Sequence, residues 1–169
     1  MRDIRLRLIC NGRKFNAPEE QEVIDQQNCP YYLLSRVTLV ATSALKKGFA
    51  VAGIGDVKPA YLGALLPLWQ EDGLKLVELG RRSGLETSTM TGLIDRMERD
   101  GLVERRDDPN DRRVQLIYLT EKGRQAMSPA LAVVDSVLDN VFEGISQKDL
   151  SKTTDVLKRV LANAHEGNS

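Results

Sequence analysis

The chain is predicted to be mostly α-helical with one small β-hairpin, and three features of its sequence predict this. Between residues 88 and 102, Met90, Leu93, Ile94, Met97 and Leu102 recur at three- and four-residue steps, the period of a single buried helical stripe. From Leu102 to Thr120 the period drops to two, around the turn chemistry of Asp107, Asp108, Pro109, Asn110 and Asp111. On either side of this unit, residues 31–52 and 121–161 carry long runs of helical period with broad apolar faces.

Taken in order, Met1 to Phe15 alternates Ile4, Leu6, Leu8 and Cys10 with Arg5 and Arg7 and reaches an Asn11-Gly12 turn. That pattern fits a short strand or hairpin, an arm that docks on a partner subunit, or a tail. Ala17 to Asn28 is polar and acidic, with Pro18 suited to a first helical position, and reads as a short helix or linker. From Tyr31 to about Ala52, Leu33, Leu34, Val37, Val40, Ala41, Ala44, Leu45 and Phe49 predict a long helix. Its apolar face is wide enough to pack on its own domain and on another chain. Gly53-Ile54-Gly55 ends it, and Pro59 opens the next helix, Ala60 to Glu71. Leu62, Leu65, Leu66, Leu68 and Trp69 form its apolar side, and Pro67 is expected to bend it.

Asp72-Gly73 is a turn, and Lys75 to Ser83 is expected to form a short helix with Leu76, Val77 and Leu79 turned inward. After Gly84 comes the helix of about Ser88 to Asp100, with Thr87 as its N-cap and Gly101 as the left-handed residue that stops it. Leu102 to Arg106 and Val114 to Leu119 are the hairpin arms. Thr120 with Glu121 caps a helix running to about Gly144, with Met127, Leu131, Val134, Leu138, Val141 and Phe142 on one side and Pro129 as a kink point. Ser146 caps the last helix, whose apolar face is Leu150, Val156, Leu157, Val160 and Leu161. Two short helices, a tight glycine turn and a hairpin are the order of a winged helix-turn-helix.

Composition narrows the function. With 169 residues, 41% hydrophobic and 28% charged, the chain can bury a proper core as one domain, or as a small domain with an accessory helical layer. Cys10 and Cys29 are too few for a disulfide scaffold or a zinc site. The single histidine, His165, has no ligand cluster beside it, and no phosphate-binding glycine loop or nucleophile motif is present. The sequence therefore argues against an enzyme and calls for no cofactor or metal. Arg36, Lys46 and Lys47 break the longest apolar stretch, Tyr31 to Ile54, and the N-terminal segment, with Arg2, Asp3, Arg5 and Arg7 among its apolar residues, lacks the uninterrupted core of a secretory signal, so a cytoplasmic protein without membrane association is the expected default. A formal net charge of zero weakens the case for nucleic acid, yet residues 74–124 hold eleven of the 24 basic residues.

The segment STMTGLIDRMERDGLVERRDDPNDRRVQLIYLTEKG, Ser88 to Gly123, resembles the MarR family of bacterial transcriptional regulators, and the order of elements matches from about Tyr31 to Ala162. It includes that family's Asp-x-Arg wing, here Asp111 and Arg113, and the strand closing in Leu119-Thr120. Ser83 departs from the pattern, which usually has an apolar residue before the turn. The resemblance implies dimerisation through the terminal helices. It divides the chain into an N-terminal arm or short helix (1–30), a helical dimerisation region (31–57 and 121–165) and a winged DNA-binding region (58–120).

Physically, Ser88, Thr89 and Thr91 can hydrogen-bond base edges or phosphates of double-stranded DNA in a major groove, and Gly92 allows close backbone approach. Arg96 and Arg99 are placed to hold phosphate. Arg112 and Arg113 suit the adjacent minor groove, with Asp111 orienting Arg113. The competing reading of Arg96 and Arg99 is a solvated face paired with Asp95 and Glu98. A homodimer would set two such helices about 34 Å apart, on a pseudo-palindromic operator. The expected activity is repression released by a small aromatic or anionic effector, with Tyr31, Tyr32, Tyr61 and Trp69 as pocket candidates by resemblance. The alternatives are a thiol-based redox sensor through Cys29, just before the first long helix, and a winged helix used as a protein-interaction module.

Overall fold

A computed structural model of the chain describes residues 26–166. The arm expected at Met1 to Phe15 and most of the linker expected at Ala17 to Asn28 lie outside the described residues, as do the side chains of Arg112 and His165. After a 3-10 turn at Gln26–Asn28, the chain forms helix α1 (Pro30–Val51), a 3-10 turn at Pro59–Tyr61, α2 (Leu62–Gln70), strand β1 (Leu74–Lys75) and α3 (Leu76–Ser83). There follow α4 (Thr87–Arg99), β2 (Val103–Asp108), β3 (Asp111–Leu119), α5 (Glu121–Gln125), α6 (Met127–Val141) and α7 (Gln147–Glu166). The fold is mostly helical with a small antiparallel sheet, as its periodicities predict.

One core joins the winged lobe to the inner ends of α1 and α6. Phe49, Leu65, Leu68, Leu79, Met90, Ile94, Met97, Leu102, Val103 and Ile117 are all but inaccessible to solvent. The helix-turn-helix is tight because Gly80 sits where a methyl group would lie 2.9 Å from the Leu85 carbonyl oxygen, and Gly84, at φ 64°, turns the chain between α3 and α4. Ser83, the departure from the family pattern, has its hydroxyl 2.5 Å from the Gly63 carbonyl of α2 and 2.7 Å from that of Leu79, so a hydrogen bond takes the place of apolar packing.

Several local expectations are corrected. The sheet has three strands in the order β1-β3-β2, because Leu74 and Lys75 pair with Ile117 and Leu116 in addition to the hairpin. Two residues are too few to show a period of two. Thr87 is the first residue of α4, not its cap; Glu86 holds that place with no side-chain cap bond. In α3 the inward spacing is Leu76, Leu79, Gly80 and Ser83, which swings Val77 about 100° out, to 67% exposure. Leu66 is likewise turned outward on α2. The helix expected from Glu121 to Gly144 breaks at Ala126, three residues before Pro129, which offers the Gln125 carbonyl no N–H and crowds it. Beyond the break, α6 turns Ala130, Val133 and Val134 to the core and leaves Met127 and Leu138 exposed. Thr120 and Ser146 do cap their helices, accepting from the amides of Gly123 and Asp149 at 3.0 and 3.2 Å.

Two surfaces stay bare. Tyr31, Leu33, Leu34, Val37, Leu39 and Val40 on the first turns of α1, and Val156, Leu157, Val160 and Leu161 on α7, are exposed large apolar side chains.

Gly123 is the most closely packed glycine among the described residues, since a methyl group there would run into the Leu102 carbonyl oxygen and press on Leu119. Gly123→Ala is expected to lower stability by about 3 kcal/mol, the upper end for overpacking, read as an earlier midpoint in urea denaturation.

Candidate nucleic-acid interface

The interface is built on α4. Met90, Leu93, Ile94 and Met97 are buried, so the remaining face must point to solvent. Ser88 and Thr89 are exposed on its first turn, and neither hydroxyl is engaged elsewhere among the described residues. Thr91 is half-buried and donates to the Thr87 carbonyl at 2.8 Å, so its hydroxyl is left to act as an acceptor. At Gly92 an added methyl group would meet nothing nearer than Arg96 Nη1, 3.8 Å away; the helix surface is open there.

The charges divide in an unexpected way. Arg105, on β2, pairs with both Asp95 and Glu98 of α4, its Nη2 lying 2.5 Å from Asp95 Oδ1. Its amide also donates to Glu98 Oε1 at 3.3 Å. The two carboxylates that could have neutralised Arg96 and Arg99 are therefore held by the wing. Arg96 and Arg99 are exposed, and neither is ion-paired to a described carboxylate. Arg99 reaches only the Asp95 carbonyl, at 3.3 Å.

The wing tip is organised by Asp108, which is 8% exposed. Its Oδ1 accepts from the Asn110 amide at 2.9 Å, and Lys75 Nζ lies 3.6 Å from its Oδ2. The Asn110 amide first, and the Lys75 charge after it, hold its carboxyl below the usual range against the opposing effect of burial. Asp111 accepts from the Arg113 amide at 3.0 Å, while the Arg113 guanidinium stands 3.9 Å away with its side chain 95% exposed. Lower on the wing, Arg106 pairs with Glu104 and lies 4.6 Å over the Tyr118 ring. Arg81 and Arg82 are both tied to Glu78, and Arg82 also to Glu71.

The aromatic candidates are not brought together. Tyr61 is buried and donates to Asp100 Oδ2 at 2.8 Å; Trp69 donates to the Gly123 carbonyl at 3.0 Å. Trp69 ties α2 to α5, whereas Tyr61 ties the turn before α2 to the end of α4, within the winged lobe. Tyr31 instead lines a shallow groove on α1 with Leu34, Ser35, Thr38, Leu39 and Thr42, and Tyr32 is exposed beside it. Cys29, at the N-terminus of α1, is a free thiol only 5% exposed. Among the described residues no cluster of His, Cys, Asp or Glu could hold a metal ion, and no helix is long and apolar enough to cross a membrane.

The MarR family model matches residues 61–114, from the turn before α2 to the start of β3. The organic hydroperoxide resistance transcriptional regulator of Bacillus subtilis (strain 168) is 33% identical over 110 residues, 65% of this chain and 73% of that protein. The chain belongs to the MarR family. Its winged helix is the DNA-binding unit of a transcriptional regulator, and no enzymatic role attaches to it. TtmR of Methylorubrum extorquens (strain PA1) is 49% identical over 67 residues; that match spans 39% of this chain but only 33% of TtmR. In structure the chain is similar to CouR from Rhodococcus jostii RHA1 bound to p-coumaroyl-CoA, with a TM-score of 0.66, 27% identity and coverage of 82% of this chain and 96% of the other.

Within this MarR-type wing, Arg105 and Asp108 are the residues that sequence reasoning missed. Asp95, Glu98 and Arg105 offered a signal, since two acids one turn apart on the helix face the first arm of the hairpin. Arg105→Ala is expected to leave both acids uncompensated and to speed amide exchange along β2 and β3 about fivefold, near 1 kcal/mol for a partly exposed pair. Tyr61 gives a pH signature. Burial, and then its bond to the Asp100 carboxylate, push its pKa up to about 12. The folded state therefore keeps a proton that the unfolded state releases near its ordinary value of 10.0. Stability from this group is complete below pH 10 and lost between pH 10 and 12; Tyr61→Phe should remove that part of the alkaline decline in thermal melts.

Proposed function

We propose that the protein is a homodimeric repressor that reads a pseudo-palindromic operator and releases it on binding a small aromatic or anionic effector. Ser88, Thr89 and Thr91 meet base edges or phosphates in the major groove, where Gly92 allows a close approach. Arg96 and Arg99 hold phosphates, and Arg112 and Arg113 enter the neighbouring minor groove, with Asp111 steadying Arg113.

The observation that carries this reading is the segregation of charge. Arg105 takes up Asp95 and Glu98, so α4 presents Arg96 and Arg99 without an ion-pair partner among the described residues, and the wing carries an exposed Arg113, in a chain with no net charge. Dimerisation is supported by the bare large apolar residues of α1 and α7, since exposed apolar surface of this kind marks protein–protein contacts. An effector site finds support in CouR, whose structure is bound to p-coumaroyl-CoA. Here the groove beside Tyr31 has all its walls from one helix, and in a homodimer a second copy would supply the opposite wall. Tyr61 and Trp69, committed to hydrogen bonds with Asp100 and with the Gly123 carbonyl, are left out of the site. The burial of Cys29 gives a thiol-sensing mechanism no reactive surface.

Arg113→Ala is expected to weaken operator binding about tenfold and to lower the slope of log affinity against log salt by about 1, measured by fluorescence anisotropy over a salt series. A variant that loses neither would point to a protein partner for the winged helix.

A further inference from the structure

Two stretches of chain cross between the helical lobe of α1 and α6 and the winged lobe: the 52–58 loop, and α5 with the residues that lead into it. Lys122, on α5, joins both to the end of the recognition helix. Its Nζ donates to Asp56 Oδ2 in the loop at 2.6 Å and to the Asp100 carbonyl at 2.8 Å. Asp100 is the C-cap of α4, so its carbonyl belongs to the set of acceptors a helix leaves unmatched, and an ammonium there also meets the negative end of the helix dipole. From other sides, Tyr61 holds the Asp100 carboxylate, and Thr120 donates to the Gly101 carbonyl at 2.7 Å.

We propose that Lys122, acting with Asp56, is a positioning residue that sets the angle of α4 against the helical lobe and thereby the half-site spacing that the dimer accepts. The inference rests on the dimeric operator-binding reading above. Lys122 and Asp56 are 52% and 58% exposed, and exposed pairs of this kind add little to stability. Their contribution is geometric. One ammonium shared by oxygens from two separate segments restrains a pivot that each crossing alone would leave open. Lys122 already has two acceptors, so its part in recognition lies in holding the helix rather than in meeting a phosphate.

The test begins by selecting, from a random-sequence duplex library, the inverted repeat that the wild-type protein binds. The two half-sites are then resynthesised with one or two base pairs added or removed between them. Each added pair moves and rotates one half-site relative to the other, so the wild-type affinity should fall about tenfold per step from its optimum. Lys122→Met and Asp56→Asn are each expected to flatten that fall to about threefold while the melting temperature stays within a few degrees; Lys122→Arg should retain the wild-type profile. Variants that keep the wild-type steepness, or that weaken equally at every spacing, overturn the positioning role and leave the operator reading intact. A wild-type protein that selects no inverted repeat, or whose affinity ignores spacing, overturns the dimeric reading and this inference with it.

Discussion

The burial of one stripe on α4 is the constraint from which the rest follows. Met90, Leu93, Ile94 and Met97 leave the helix no freedom to rotate about its axis, because a turn in either direction would bring Ser88, Asp95, Arg96 or Arg99 into an apolar core. The outward chemistry of the helix is thus decided by its inward packing. Gly101, at φ 73°, then stops the helix, and Leu102, 1% exposed, carries the chain directly into β2. The wing is thereby placed beside the helix, with only three residues between the end of α4 at Arg99 and the start of β2 at Val103.

Given that placement, charge balance becomes a local question. A chain with 24 basic and 24 acidic side chains has no bulk attraction for a polyanion. What matters is where the acids are spent. Glu78 takes Arg81 and Arg82, and this pairing lowers its carboxyl to about 2; Asp72 takes Arg124, and Asp95 with Glu98 takes Arg105. The last of these pairings occupies the two acids of α4 that would otherwise offset its outward arginines. Electrostatic attraction in such a protein falls off within about 10 Å at ordinary salt, so a patch can be basic although the molecule is neutral.

The sequence made the winged order legible because each of its long elements repeats a period several times. The stripe of α4, the left-handed Gly101, and the caps at Thr120 and Ser146 all rest on local rules and are found in the structure. What was illegible depended on a neighbour distant in the chain. β1 is two residues defined only by its partner β3; Val77 and Leu66 are apolar residues whose outward orientation depends on which adjacent residue the core selects. The face that α6 presents inward is set by Gly48 of α1, where a methyl group would come within 2.5 Å of Val133 Cγ1. Tyr61 and Trp69 looked like pocket residues because composition does not reveal that their polar atoms already have partners, Asp100 at the end of α4 and Gly123 on α5.

Stability and pose are assigned to different kinds of contact in this fold. The apolar core supplies the non-directional term, which resists unfolding but tolerates small rotations of one packed lobe against another. Orientation is held by short, directional polar contacts at the lobe junction: Trp69 to the Gly123 carbonyl, Lys122 to the Asp100 carbonyl, and Arg124 to Asp72. These converge on α5, only five residues long, so a change in how α1 and α6 pack has a short path to the recognition helix. A ligand seated against α1 and its partner copy would act on that path by favouring one packing of the helical lobe over another. It need not touch the winged lobe to alter the reach of α4, provided its affinity differs between the two packings.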